Sequence, residues 1–184
     1  MIQGMVKAHP RHLRKLDCGN VVVRAVKKEG KVAIISGGGS GHEPAHGGYG
    51  MLDAAVAGAV FTSPTPDQIY EAIKAVATDA GVLMVVKNYT GDVMNFEMAA
   101  EMAADMDEIE VRQVVTNDDV AVKDSLYTVG RRGVAGTVFV HKIAGALAET
   151  GASLDQVQEM AQRVIDNVRT MGAAIAPCTV PAAK

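Results

Sequence analysis

Three short apolar runs constrain this chain more than any other feature: residues 31–36 (KVAIIS), 82–86 (VLMVV) and 111–115 (VRQVV). Runs of this length, rich in β-branched residues and each followed by a polar loop bearing Gly, Asn or Asp, read as strands of a buried sheet. Residues 21–23 offer a further strand, at an edge. Between the runs the apolar period becomes helical. Thr65-Pro66-Asp67-Gln68 places a capping residue, Pro at the first helical position and Gln three past the cap, with Ile69, Ile73 and Val76 on one face behind it. Residues 94–106 are rich in Ala, Met and Glu, with Met94, Met98 and Met102 four apart. Residues 136–147 also read as helix. Ser153-Leu154-Asp155-Gln156 opens another capping box, after which Leu154, Val157, Ala161, Val164, Val168 and Met171 form one stripe and Gly172 is the expected stop.

Strands alternating with amphipathic helices predict an α/β fold, a largely parallel or mixed sheet with helices on both faces. The 184 residues suit one such domain, 1–184, and no linker or repeat divides them. Eighteen basic against 21 acidic residues give a net charge of −3, so no electrostatic argument favours nucleic acid or an anionic membrane surface. No stretch approaches the roughly 20 apolar residues of a membrane helix. Residues 1–15 are polar and basic, without the apolar segment of a secretory signal. Two cysteines, Cys18 and Cys178, are too few for a disulfide scaffold or a zinc cluster. A cytoplasmic setting is expected.

In sheets of this kind, ligands bind beyond the carboxyl ends of the strands. The loop Gly37-Gly38-Gly39-Ser40-Gly41-His42-Glu43-Pro44 follows the first run. Its glycines let the backbone approach a small ligand and present N–H groups to it. It is neither a dinucleotide fingerprint, since His42 stands where the third Gly belongs, nor a P-loop, which needs Lys-Ser/Thr. His42-Glu43-Pro44-Ala45-His46 fits the zinc-protease pattern H-E-x-x-H, but Pro44 and Gly47-Gly48 break the helix that pattern requires, and no third ligand is evident. No metal site is therefore expected. Lys87 and Asp92 follow the second run; either could serve a ligand, Lys87 could equally be a solvated lysine, and Asp92 an N-cap. An ammonium, a carboxylate, an imidazole and backbone N–H groups converging at one rim would suit a small polyhydroxylated or carbonyl compound. Asn117-Asp118-Asp119 reads as a cation site or a solvated loop or cap, and Arg131-Arg132 as an anion site or a charged turn. His141, inside a helix, reads as a packed histidine. His9 and His12 carry no recognisable geometry.

Taken together, SGGGSGHEP at 36–44, FTSPTPD at 61–67, KNYTGD at 87–92 with Asn95-Phe96-Glu97, DDVAVKDSLY at 118–127 and GRRGVA at 130–135 resemble the dihydroxyacetone kinase family, specifically the first half of its substrate-binding subunit. The motifs run in family order through nearly the whole chain. The resemblance implies that dihydroxyacetone is held by Gly39, Ser40, Gly41 and His42 together with Lys87 and Asp92. It also implies that His42 is the base on the hydroxyl being phosphorylated. The family's second histidine, which captures the ketone as a hemiaminal, belongs to a Gly-Ile-His motif in the second half of the subunit; none of His9, His12, His42, His46 or His141 matches it. The stretch 47–51 is also shorter than the family's loop. These departures predict a chain that is inactive alone. No nucleotide or other cofactor is expected on it. The phosphoryl donor would be an ADP-carrying, nucleotide-binding kinase subunit served by a phosphohistidine carrier of the phosphotransferase system, or ATP with Mg. The resemblance further implies a homodimer. A non-catalytic paralogue acting as ligand sensor or co-activator is the alternative.

Overall fold

Five of the six strands run in one direction, and one, next to the edge strand, runs against them. The computed structural model describes residues 2–40, 45–123, 125, 128 and 130–176. In chain order the elements are α1 (Ile2–Ala8), β1 (Leu13–Lys15), β2 (Val21–Arg24), β3 (Ala33–Ser40), β4 (Ala54–Val60), α2 (Pro66–Val76), β5 (Val82–Lys87), α3 (Thr90–Asp107), β6 (Val111–Thr116), α4 (Thr137–Glu149) and α5 (Leu154–Asn167). The sheet order is β1-β2-β4-β3-β5-β6. The three runs singled out in the sequence, β3, β5 and β6, are adjacent and parallel. β4 joins β3 in parallel on the other side, and β2 and β1 complete that edge antiparallel.

Alternation along the strands splits the core in two. Ala33, Ile35, Val82, Met84 and Val86 face the layer of α2 and α3, where they meet Ile69, Ile73, Phe96 and Ala99. Ile34, Leu83 and Val85 face α4 and α5, meeting Val140, Ala144, Val157 and Ala161. This two-sided burial is why β3 and β5 are apolar on both faces, whereas β6, at the sheet edge, carries Arg112 and Gln113 and is mostly half-buried.

Several local expectations are corrected. β3 does not stop at Ser36: the glycines continue as strand to Ser40, with a register shift between Gly38 and Ser40. A side chain at Gly37 would sit 2.5 Å from the Val56 carbonyl and 2.9 Å from the Phe96 ring, so glycine here serves close packing inside the sheet. Thr65 precedes α2, yet its side chain makes no capping hydrogen bond; Pro66 alone marks the start. α3 begins at Thr90, a turn before the Met-rich stretch. The capping box of Ser153 and Gln156 is present in full, but α5 ends at Asn167, with Val168 already extended, so Gly172 is not its stop.

At the amino ends of the parallel strands lies a buried ion-pair network. Lys31 Nζ donates to Asp53 Oδ2 at 2.5 Å and to the Val32 carbonyl at 2.9 Å. Arg24 Nη1 bridges Asp53 Oδ1 and Glu149 Oε1 at 3.1 and 2.6 Å. Burial works against ionisation of Glu149, but the Gly50 amide, Lys28 and the charges of Arg24 and Lys31 outweigh it and hold the carboxyl below its usual range. This network pins β2, β3, β4 and α4 at the end away from the polar rim.

Candidate functional site

The connection after β3 and the connection after β5 leave the sheet on opposite faces. After β3 the chain passes to the α4 side, where the Gly50 and Met51 backbone packs against Gly145. After β5 it enters α3, on the other face. Adjacent parallel strands whose connections diverge open a crevice at their carboxyl ends, the usual ligand position in such sheets. Gly39 and Ser40 end β3 on one side of that crevice, and Lys87 ends β5 on the other.

Period-2 alternation puts Lys87 on the α4 face together with Leu83 and Val85. Its side chain is buried, 4% exposed, and Nζ reaches Ser36 Oγ, which shares that face, at 3.4 Å. Asp92 lies in the first turn of α3, 2% exposed. The N-cap is Tyr89, so Asp92 is not the cap, and the helix dipole favours a carboxylate at its position. Burial, and the carboxylates of Asp92, Asp119 and Asp118 against the opposing Arg132, raise the Tyr89 phenol above its usual range, so it stays protonated at neutral pH. Gly39, Ser40, Lys87 and Asp92 thus stand at one rim. Gly41 and His42, the remaining residues expected there, lie outside the described residues.

Neighbouring loops brace this rim. Asn88 donates its backbone N–H to the Thr116 carbonyl at 3.0 Å and its side-chain amide to the Arg131 carbonyl at 2.7 Å. Asn95 Nδ2 donates to the Pro64 carbonyl at 2.7 Å, tying α3 to the loop after β4. Asp118 is fully buried and accepts from the Val134 and Gly136 amides at 2.9 and 2.8 Å and from Thr170 Oγ1 at 2.5 Å. Asp119 accepts two bonds from Arg132 and one from the Ala121 amide. Burial opposes its ionisation, and Arg132 with the Ala121 amide outweighs burial, leaving its carboxyl below the ordinary range. The alternatives left open in sequence resolve here: Asp118 and Asp119 hold loops, and Arg132 is an ion-pair partner.

Among the described residues, no group of three or more His, Cys, Asp and Glu is placed to hold a metal. Ala45 has φ of 51°, left-handed, which a continuous helix through His46 does not allow. Sequence reasoning missed two contributors. Ser36, the one polar residue closing an otherwise apolar run, was a visible signal. His141 was not: it is buried as a packed histidine would be, yet its ring stands beside His46 and within the field of Lys87.

This is an α/β domain with a crevice at the carboxyl ends of its parallel strands. The model of the Dak1 domain matches residues 3–184. The chain therefore belongs to the Dak1 domain family. It is 60% identical, over 98% of its length, to the dihydroxyacetone-binding subunit DhaK of PTS-dependent dihydroxyacetone kinase 1 of Listeria innocua, and covers 56% of that protein. The dihydroxyacetone kinase of C. freundii, solved with AMP-PNP and Mg2+, superposes with TM-score 0.82 at 46% identity, over 90% of this chain and 32% of that one. The dihydroxyacetone kinase operon co-activator Dha-DhaQ superposes with TM-score 0.89 at 38% identity, over 100% of this chain and 57% of that one. The chain thus spans about half the length of the curated relatives it matches.

Proposed function

We propose that this chain is the dihydroxyacetone-holding half of a DhaK-like subunit, serving phosphorylation of the ketone by a kinase of the PTS-dependent type. The observation carrying this reading is the pair of buried charged side chains, Lys87 and Asp92, flanking the crevice where Gly39 and Ser40 end β3. An ammonium and a carboxylate at that rim offer a donor and an acceptor to the oxygens and hydroxyls of a small polar ligand. In this reading the backbone of Gly39, Ser40 and Gly41 approaches the substrate, and Lys87 and Asp92 hydrogen-bond its oxygens. His42 takes the proton of the attacking hydroxyl as the new O–P bond forms and the bond from phosphorus to the donor's leaving group breaks. The donor is a nucleotide-binding partner subunit, re-phosphorylated by a phosphohistidine carrier.

Calorimetric titration with dihydroxyacetone tests the reading. Asp92→Asn should weaken binding by about 1.5–3 kcal/mol, the range for hydrogen bonds to charged groups. An equal loss of thermal stability with affinity unchanged would return Asp92 to a purely structural role. Supplied with donor subunit and magnesium nucleotide, the 184 residues should show negligible turnover, and borohydride should trap no adduct on any of the five histidines. Robust turnover would refute the assignment of roles.

The full-length superposition on a co-activator supports a second reading, a ligand sensor. The two separate in a chain extended by the relatives' second half: a kinase subunit then turns over with its donor, whereas a sensor binds and does not.

A further inference from the structure

On the α4 side of the rim lies a cluster that the roles above leave unused. His141, in the middle of α4, is 1% exposed, and neither ring nitrogen has a hydrogen-bond partner among the described residues. Nδ1 of His46 is also buried without such a partner. The two rings stand edge to face, centroids 6.0 Å apart. Burial first, then the charges of Lys87 and His46, hold the His141 imidazole well below its usual proton affinity, so it is neutral.

Buried polar atoms without partners are rare in folded proteins, and three of them on two adjacent rings mark a place for a small polar occupant. A neutral imidazole has one N–H to donate and one lone pair to accept with, so the occupant must both accept and donate. A metal ion could take a ring lone pair but leaves the ring N–H unserved, and the Lys87 charge opposes it. Water meets both requirements. We propose that His141 and His46 hold an internal water against the Lys87 ammonium, and that His141 is thereby a positioning residue that keeps Lys87 directed at Ser36 and the end of β3. The purpose of this device rests on the reading of Lys87 as a substrate contact, but its test needs no substrate.

The test is nuclear magnetic resonance on the 184-residue chain labelled with 15N-histidine and 15N-lysine. The wild type should show His141 in one neutral tautomer, with cross-relaxation from its ring N–H to a long-lived water. His141→Phe, of similar shape but apolar, should lose the water and speed exchange of the Lys87 ammonium protons by at least about fivefold. His141→Asn, which can donate and accept, should restore most of that protection. Absence of a water contact at both rings of the wild type would overturn the proposal, and this measurement decides the matter if the Phe variant does not fold. Unchanged Lys87 exchange in a folded His141→Phe would overturn it equally, as would stoichiometric capture of added Zn2+ by both rings. Failure of dihydroxyacetone binding would leave this water site standing, and loss of the water site would leave the substrate reading standing.

Discussion

Replacing Lys31 by Met tests how the far end of the sheet is held. The ammonium lies in a side chain 2% exposed, bonded to Asp53 and the Val32 carbonyl. Removing one partner of a buried pair costs about 3–5 kcal/mol, because the other charge is stranded. Asp53 is not fully stranded by Lys31→Met: it keeps Arg24 at 3.1 Å and the Ile34 amide at 2.7 Å. The loss should therefore fall near the lower bound, about 3 kcal/mol. Asp53→Leu is worse. It leaves the Lys31 ammonium with the Val32 carbonyl, takes the acceptor from the Ile34 amide and leaves Arg24 with Glu149 alone, so the upper bound, about 5 kcal/mol, is expected. The double variant removes both charges together and should be more stable than Asp53→Leu alone by at least about 2 kcal/mol. Urea unfolding followed by far-ultraviolet circular dichroism at pH 7 measures all four proteins. If Asp53→Leu is unfolded in buffer, recovery of a folded spectrum in the double variant meets the same expectation. A double variant whose loss equals the two single losses within about 0.5 kcal/mol would refute the coupling.

The stability of the wild type should fall relative to His141→Phe as pH drops below about 6.5, by up to roughly 1.4 kcal/mol per unit, since the unfolded chain gains a proton that buried His141 refuses. Full stability is present above that pH; thermal melts of both proteins from pH 7.5 to 5.5 check it, and parallel curves would refute it. Gly133→Ala should destabilise by about 1–3 kcal/mol or more, because the added Cβ would sit 2.4 Å from the Thr116 carbonyl and 2.9 Å from the Asn88 amide, both backbone. An unchanged melting temperature for that variant would show that the rim loops yield more easily than their packing suggests.

The parallel strands β3, β5 and β6 were legible because each is a short run rich in β-branched residues and bounded by a polar loop. β4 was not, since its residues 54–60, AAVAGAV, are mostly small and carry weak strand preference; the sheet around them, not local propensity, makes them a strand. The glycine run was read as a loop for the same reason, whereas pairing with Val56, Ala57 and Val60 on β4 carries it on as strand. The first turn of α3 was hard to see because Thr90-Gly91-Asp92 has poor intrinsic helix preference, yet the helix begins at Thr90 and buries Asp92. Lys87 and Asp92 stand out as candidates from their place after a strand, a topological signal that needs no side-chain geometry. His141 reads in sequence as a packed histidine, and its burial agrees; an apolar helix face gives no sign of the His46 ring beside it.

Asp118 joins three stretches of chain far apart in sequence: the end of β6, the approach to α4, and the segment that follows α5. One carboxylate serving all three makes their motions a single event. The Val134 and Gly136 amides cannot open separately, because freeing either leaves the same buried charge short of a donor. Their hydrogen-exchange rates should therefore report one shared opening free energy, with the Thr170 amide, which bonds the Asp118 carbonyl at 2.8 Å, exchanging in step. That makes this side of the rim a cooperative unit that loosens all at once.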